Sequence, residues 1–332
     1  MATVARAFQW HDAPSASEPV RIVHRLRADA AAEQRALVQG LLAQPASISP
    51  KYFYDALGCQ LFEAICELPE YYTTRTERRI LSEHAQDIAA VVGKGKQWVD
   101  LGAGNCAKAE LLLPHIDARR YVAVDIAAPA IEPALRRLAV AFPETQMAGV
   151  VTDFASQFEL AGVLDNDATV FFYPGSSIGN FTPLEAERFL RRVRALCRRD
   201  SGLVIGVDTR KDPARLQAAY DDSLGVTAAF NRNVLNHVNA ILGTDFDPRV
   251  FAHRAWFNEA DSRIEMHLQA LSDHEVRIGD RLRAFAAGEM IHTENSCKYA
   301  PEDFSRLLRA AGFSPQASWQ DPAGDFVVFY AS

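Results

Sequence analysis

Apolar residues fall at helical spacing from Arg21 to about Ala43, where Val23, Leu26, Ala30, Leu37 and Leu41 mark one face. A polar break holding Pro45 and Pro50 follows, then a short helical stretch over Cys59–Glu67. Thr74–Val91 reads as a longer helix, with Thr76 as its cap and Glu77 in its first turn. Beyond it the period changes. Short apolar runs at Gln97–Leu101, Tyr121–Asp125, Gln146–Thr152, Thr169–Tyr173 and Leu203–Asp208 predict strands. Helices are predicted between them near Cys106–Pro114, Pro129–Ala141 and Leu184–Cys197. Strands without a polar face, alternating with helices, predict a parallel sheet covered on both sides. The fold class is α/β and Rossmann-like, with a ligand expected at the carboxyl ends of the strands.

After Asp208 the alternation stops. Asp212 to about Leu242 is helical in pattern, and period-two stretches follow near Val250–Phe257, Arg263–Leu271, Val276–Ile278 and Arg283–Phe285. A second, smaller α+β unit is therefore expected inside the first. The helix predicted over Pro301–Ala311 and the strands near Ala317–Trp319 and Phe326–Tyr330 then finish the parent sheet. The expected division is 75–209 plus 297–332 for the sheet unit, and 1–74 plus 210–296 for the other. Residues 1–20, small and polar with no apolar core, read as a loose tail rather than a secretory leader.

Composition narrows the function classes. A net charge of −7 argues against a nucleic-acid partner, which a basic footprint would accompany. No apolar run approaches the roughly 20 residues of a membrane span. The five cysteines are scattered without a CxxC pair, which fits reduced thiols and a cytoplasmic protein better than a disulfide framework. The nine histidines form no HxxxH or HxH group, so no metal is expected. A monomer acting on a small molecule is the simplest expectation.

The chemistry concentrates in the loop Val99–Leu112, VDLGAGNCAKAELL, which leaves a predicted strand and opens a helix. Gly102 and Gly104 permit a tight turn and close approach of a ligand. Gly102-x-Gly104-x-x-Ala107 alone fits either a nicotinamide dinucleotide or S-adenosylmethionine. Asp100, two residues ahead, completes the D-x-G-x-G opening usual in class I methyltransferases. Asp125 ends the next strand, where an acid binds ribose hydroxyls. Thr152-Asp153-Phe154 ends the third, where a carboxylate can accept from an adenine amino group beneath an aromatic cover. Acids at three successive strand ends favour the methyltransferase, although a nicotinamide-dependent oxidoreductase shares part of the pattern.

Longer segments carry a family resemblance. Ser49–Leu81 (SPKYFYDALGCQLFEAICELPEYYTTRTERRIL), Phe171–Pro183 (FFYPGSSIGNFTP), Ala219–Asn239, Arg263–Leu268 (RIEMHL), Thr293–Tyr299 (TENSCKY) and the final twelve residues closely resemble the histidine Nα-methyltransferase of ergothioneine biosynthesis. The likeness runs from about residue 46 to the end, in order. It implies a class I methyltransferase sheet with a family-specific substrate domain. The implied cofactor is S-adenosylmethionine, and the implied reaction is threefold methylation of the L-histidine α-amine to hercynine. By that resemblance Tyr71, Gly102, Gly104, Lys108, Asp125, Asp153 and Phe154 bind cofactor. Tyr54, Phe62, Asn180, Tyr220, Met266, Glu294 and Ser296 line the substrate pocket, with Tyr54, Asn180 and Tyr220 nearest the chemistry. Glu294 and Ser296 stand at the strand spacing i, i+2, so one pocket can receive both. Their carboxylate and hydroxyl suit the two nitrogens of an imidazole. Three departures stand out: Cys106 occupies the third glycine position of many class I loops, the N-terminal tail matches no part of the family pattern, and residues flanking the pocket motif, Asn295 among them, leave fine substrate preference open. Another amino acid or a related small amine as acceptor, or a non-catalytic binding module, are the remaining alternatives.

Overall fold

A computed structural model describes residues 20–25, 30–155, 160 and 162–332. Among the described residues there are fourteen strands and ten α-helices, and twelve of the strands make two main sheets. The larger holds β1 (Val20–His24), β3 (Gln97–Leu101), β4 (Arg120–Asp125), β5 (Gln146–Val151), β6 (Thr169–Tyr173), β7 (Gly202–Asp208), β13 (Pro315–Gln320) and β14 (Phe326–Ala331). Its spatial order is β1-β5-β4-β3-β6-β7-β14-β13. The first six strands are parallel, and β14 runs antiparallel to both β7 and β13.

Alternation along these strands explains the layers. Trp98, Tyr121, Ala123, Met147, Phe172 and Val204 face α3 (Tyr72–Glu83), α4 (Ala85–Val92), α5 (Ala107–Ile116) and α6 (Ala128–Ala141). Their sequence neighbours Val99, Val122, Ala148, Phe171 and Leu203 face α7 (Pro183–Leu196) and α10 (Pro301–Ala310). Strands buried on both faces read as continuous apolar runs, which is why β3 to β7 are legible in sequence. Strand order reverses between β3, which crosses to β4, and β6 on its other side. The crevice beyond their carboxyl ends is where an open α/β sheet takes its ligand.

The smaller sheet has the order β2-β12-β9-β8, from β2 (Ala46–Ser47), β8 (Phe251–Asn258), β9 (Arg263–Ala270) and β12 (Met290–Cys297). A hairpin of β10 (His274–Ile278) and β11 (Arg281–Phe285) stands beside it. Residues of α1 (Ala30–Leu42), α2 (Ala56–Glu67), α8 (Pro213–Ala218) and α9 (Val226–Leu242) share a separate core with this sheet. Within it Phe53 stacks on Phe230 with ring centroids 4.6 Å apart.

Four sequence expectations are corrected. The helix expected from Arg21 begins at Ala30, and Val20–His24 is instead a strand paired with β5. Val20 and Ile22 alternate inward there, and Ile22 packs where Gly149 leaves room for it. That strand joins the large sheet, not the smaller unit to which residues 1–74 were assigned. The Thr74–Val91 helix is two helices parted at His84, and Thr76 lies buried inside α3 rather than capping it. The Asp212–Leu242 stretch breaks at 219–225, where Asp222 accepts from the N–H groups of Val226 and Thr227 at 2.9 and 2.7 Å. The expected tail lies outside the described residues except for Val20.

Glu77 on α3 is buried against β7 at Gly206, where an added Cβ would overlap its carboxylate. Gly206→Ala is therefore expected to destabilise the fold by about 1–3 kcal/mol, as overpacking does in a close-packed interior. Denaturant unfolding of the variant against the parent checks this.

Candidate active site

The sheet places three of the sequence-predicted acids around one crevice. Gly102 and Gly104 follow β3 with φ of +72° and +51°, a left-handed backbone open to glycine. Cys106 also adopts φ +60°, so the departure from a third glycine is accommodated at a strained position. Burial pushes its thiol up to about 12 and leaves it unreactive. Asp125, at the end of β4, accepts from Gly104 N–H and Ala127 N–H, each at 2.8 Å. Burial raises its pKa, with those backbone donors opposing the rise. The acid thus ties the glycine loop to the next strand while each carboxylate oxygen keeps a second lone pair.

Asp153 accepts from Lys51 Nζ at 3.2 Å, and Lys51 also pairs with Glu33 at 3.0 Å. Phe154 lies across the loop, where a Cβ added at Gly102 would stand 3.7 Å from its ring. Asp100 is buried, raised to about 7 by that burial, and accepts from Tyr121 Oη at 2.7 Å. Its other oxygen has no hydrogen-bond partner among the described residues, and Asp100 borders the crevice. Lys108 on α5 pairs with Glu77 at 2.6 Å, and Glu77 accepts from Gly175 N–H at 2.9 Å. This acid joins the helix after the glycine loop to the turn after β6. All seven residues expected to bind cofactor line one cleft of about 3180 Å³, open solvent included.

All seven expected substrate residues line a smaller adjoining pocket of about 540 Å³. Tyr54, Phe62, Tyr71 and Asn180 border both spaces, so they form the passage between them. The pocket wall is aromatic: Tyr54 meets Phe62 edge-on at 5.8 Å, and Tyr71 meets Tyr220 at 6.1 Å. Asn180 ends a short 3-10 turn over Ser177–Asn180. That turn packs closely on β12 because Gly179 has no side chain: a Cβ there would sit 2.9 Å from the Cys297 carbonyl.

Glu294 and Ser296 both line the pocket from β12, as their spacing requires. The Glu294 carboxylate has no hydrogen-bond partner among the described residues, and burial lifts it to about 7 against the opposing charge of Lys298. Tyr220 and Ser296 share a hydrogen bond of 2.7 Å. Burial holds the phenols of Tyr54 and Tyr220 well above 10, so both are neutral near pH 7.

Several residues of this site escaped the sequence reading. Lys51, Glu77, Phe230, Asp208 and Lys298 are ordinary residue types whose importance lies in tertiary pairing. All of them but Asp208 fall inside the quoted motifs, which was the available signal. Among the described residues no group of three His, Cys, Asp or Glu side chains is placed to hold a metal ion, and no helix is long and apolar enough to cross a membrane.

A family described as histidine-specific, S-adenosylmethionine-dependent methyltransferases matches residues 33–332. The chain belongs to this family. It is 41% identical over 313 residues to a histidine N-alpha-methyltransferase of Mycolicibacterium smegmatis, covering 92% of this chain and 97% of that protein. A protein of the same name from Mycobacterium tuberculosis is 38% identical, with 94% and 99% covered. Ergothioneine biosynthesis protein 1 of Neurospora crassa is 32% identical over 83% of this chain and 32% of its own length. Membership decides the choice the glycine loop left open, in favour of S-adenosylmethionine over a nicotinamide. The residues present fit such a ligand: acids stand at the ends of β3 and β4 and just beyond β5, and the orphaned Asp100 oxygen suits a cationic group.

Asp125→Ala is expected to weaken S-adenosylhomocysteine binding by about 1.5–3 kcal/mol, the range for hydrogen bonds to a charged group. Calorimetry on a variant shown folded by circular dichroism measures it. Unchanged affinity would remove Asp125 from the cofactor site.

Proposed function

We propose that this transferase methylates the α-amine of free L-histidine three times, giving hercynine. The observation that carries the reading is the unpartnered Glu294 carboxylate, set beside the Ser296 hydroxyl in a pocket that opens to the cofactor cleft at Asn180. We also propose that the small sheet with α1, α2, α8 and α9 is the substrate unit and the large sheet the cofactor unit.

S-adenosylmethionine, when bound, supplies a methyl group activated by its sulfonium. The part of this chain is placement. Asp125, Asp153, Lys108 and Phe154, with the Gly102–Gly104 loop and Tyr71, would hold the cofactor. Glu294 accepts the imidazole N–H and Ser296 donates to the other ring nitrogen. Asn180 and Tyr220 hold the amino-acid end, and Met266 closes the pocket floor. Orienting the amine lone pair in line with the methyl can supply much of the acceleration, since well-oriented reactants gain about 7–11 kcal/mol. Tyr54 and Phe62 present aromatic faces to the ammonium as methylation makes it permanently cationic.

The decisive experiment is mass spectrometry of histidine incubated with protein and S-adenosylmethionine, read for gains of one, two and three methyl groups. Absence of any gain overturns the proposal. Glu294→Ala is expected to raise the histidine KM by more than about tenfold with little change in cofactor affinity, because the pocket loses its matched acceptor. Combined with a smaller residue at Met266, it should shift preference toward tryptophan. Only the ionised Glu294 accepts at both oxygens with the added strength of a charge; once protonated, one of its oxygens becomes a donor. Histidine KM is therefore expected to rise as pH falls through about 7 and to be lowest above it. Glu294→Gln should flatten that limb, and a limb that survives the substitution unchanged would assign it elsewhere.

A further inference from the structure

Lys298 has no task in the reaction as described, although it closes the Thr293–Tyr299 motif and its side chain is fully buried. Its ammonium carries three hydrogens. Three oxygens stand within reach: Asp208 Oδ2 at 2.7 Å, Ser296 Oγ at 2.8 Å and Tyr220 Oη at 2.9 Å. Every donor is used, so Lys298 offers a ligand nothing directly. Its influence passes through the two hydroxyls, which bond each other at 2.7 Å and both line the substrate pocket.

Counting hydrogens fixes what these hydroxyls present. Two hydroxyls hold two hydrogens, and the bond between them takes one. A phenol is the stronger donor and an aliphatic hydroxyl the stronger acceptor, so Tyr220 donates to Ser296. Ser296 then accepts from both Lys298 and Tyr220, which fills its two acceptor positions. Only its own hydrogen remains. Ser296 meets a ligand as a donor and nothing else, while the ionised Glu294, two residues away on the same face of β12, meets it as an acceptor.

We propose that Lys298 is a positioning residue that sets substrate specificity, by fixing the Ser296 hydroxyl as a hydrogen-bond donor beside the Glu294 acceptor. The inference rests on the histidine reading above. Neutral imidazole presents one N–H and one bare nitrogen, the complement of that donor–acceptor pair. A ring with an N–H but no second nitrogen leaves the Ser296 hydrogen buried and unpaired, a mismatch that sites of this kind reject by large factors. Without the ammonium, Ser296 regains a free lone pair and turns to accept from such a ring.

The test compares kcat/KM for histidine with that for the two pyrrolylalanines, each of which keeps one ring nitrogen and lacks the other. The parent protein is expected to prefer histidine by at least about 100-fold, as pockets that hydrogen-bond a polar group do. Lys298→Met should narrow that preference by about tenfold or more, mainly through the histidine KM, and leave S-adenosylhomocysteine affinity within about twofold. In a Ser296→Ala background the same substitution should change the preference no further, since both act through one hydroxyl. A purely structural role would slow both substrates alike and leave the ratio unmoved. Asp208 keeps Lys211 as its charged partner in Lys298→Met, and Lys298→Leu serves where that variant does not fold. An unchanged preference in a folded variant, or an equal narrowing without Ser296, overturns the proposal. A parent protein inactive on histidine overturns the functional reading instead, which keeps the two failures distinct.

Discussion

An ionised carboxylate buried at the carboxyl end of β7 is the constraint around which both halves of the molecule are arranged. Burial alone would raise Asp208, but Lys298 and Lys211 outweigh it and hold the acid below the usual carboxylate range. Tyr72 Oη donates to both of its oxygens at 2.9 Å. Losing one partner of such a buried pair typically costs about 3–5 kcal/mol, because the other charge stays desolvated. The partners come from three places: Tyr72 opens α3, Lys211 follows β7, and Lys298 immediately follows β12 of the smaller sheet. A single acid therefore fixes the smaller sheet against the larger one at the point where the substrate pocket lies.

A second buried acid does the same for the cofactor side. Glu77 sits on α3, as Tyr72 does, and joins Lys108 of α5 to the backbone N–H of Gly175 beyond β6. Gly206 on β7 leaves the volume its carboxylate fills. One helix thus carries Glu77 itself and the Tyr72 that bonds Asp208. The glycine loop, the turn leading to Asn180 and the β12 strand bearing Glu294 are all referred to it. The passage between cleft and pocket is bordered by Tyr71, immediately before that helix.

The core strands and the acids at their ends were legible because each depends on local pattern. An apolar run followed by glycine or aspartate identifies a buried parallel strand and its ligand-side end without knowledge of any neighbour. β1 was not legible, since five residues with Arg21 and His24 outward look helical until β5 stands beside them. The break at His84 was also hidden, because apolar spacing continues through it. The substrate pocket came from the family resemblance, not from periodicity: no pattern distinguishes Glu294 from a carboxylate on an exposed edge. Lys298 and Glu77 were passed over for the reverse reason. Such residues are almost always solvated, and only burial against a matched charge shows otherwise.

The two pocket phenols offer no base for the α-amine proton of the proposed substrate. Tyr54 and Tyr220 are held neutral by the same burial that lifts Glu294, so the phenols serve as hydrogen-bonding groups and not as proton acceptors. Selecting the neutral amine from solution costs only about 1.4 kcal/mol for each unit between its pKa and the ambient pH. Orientation of the lone pair can return about 7–11 kcal/mol. On the proposed reading, orientation therefore outweighs the cost of taking up the amine in its neutral form.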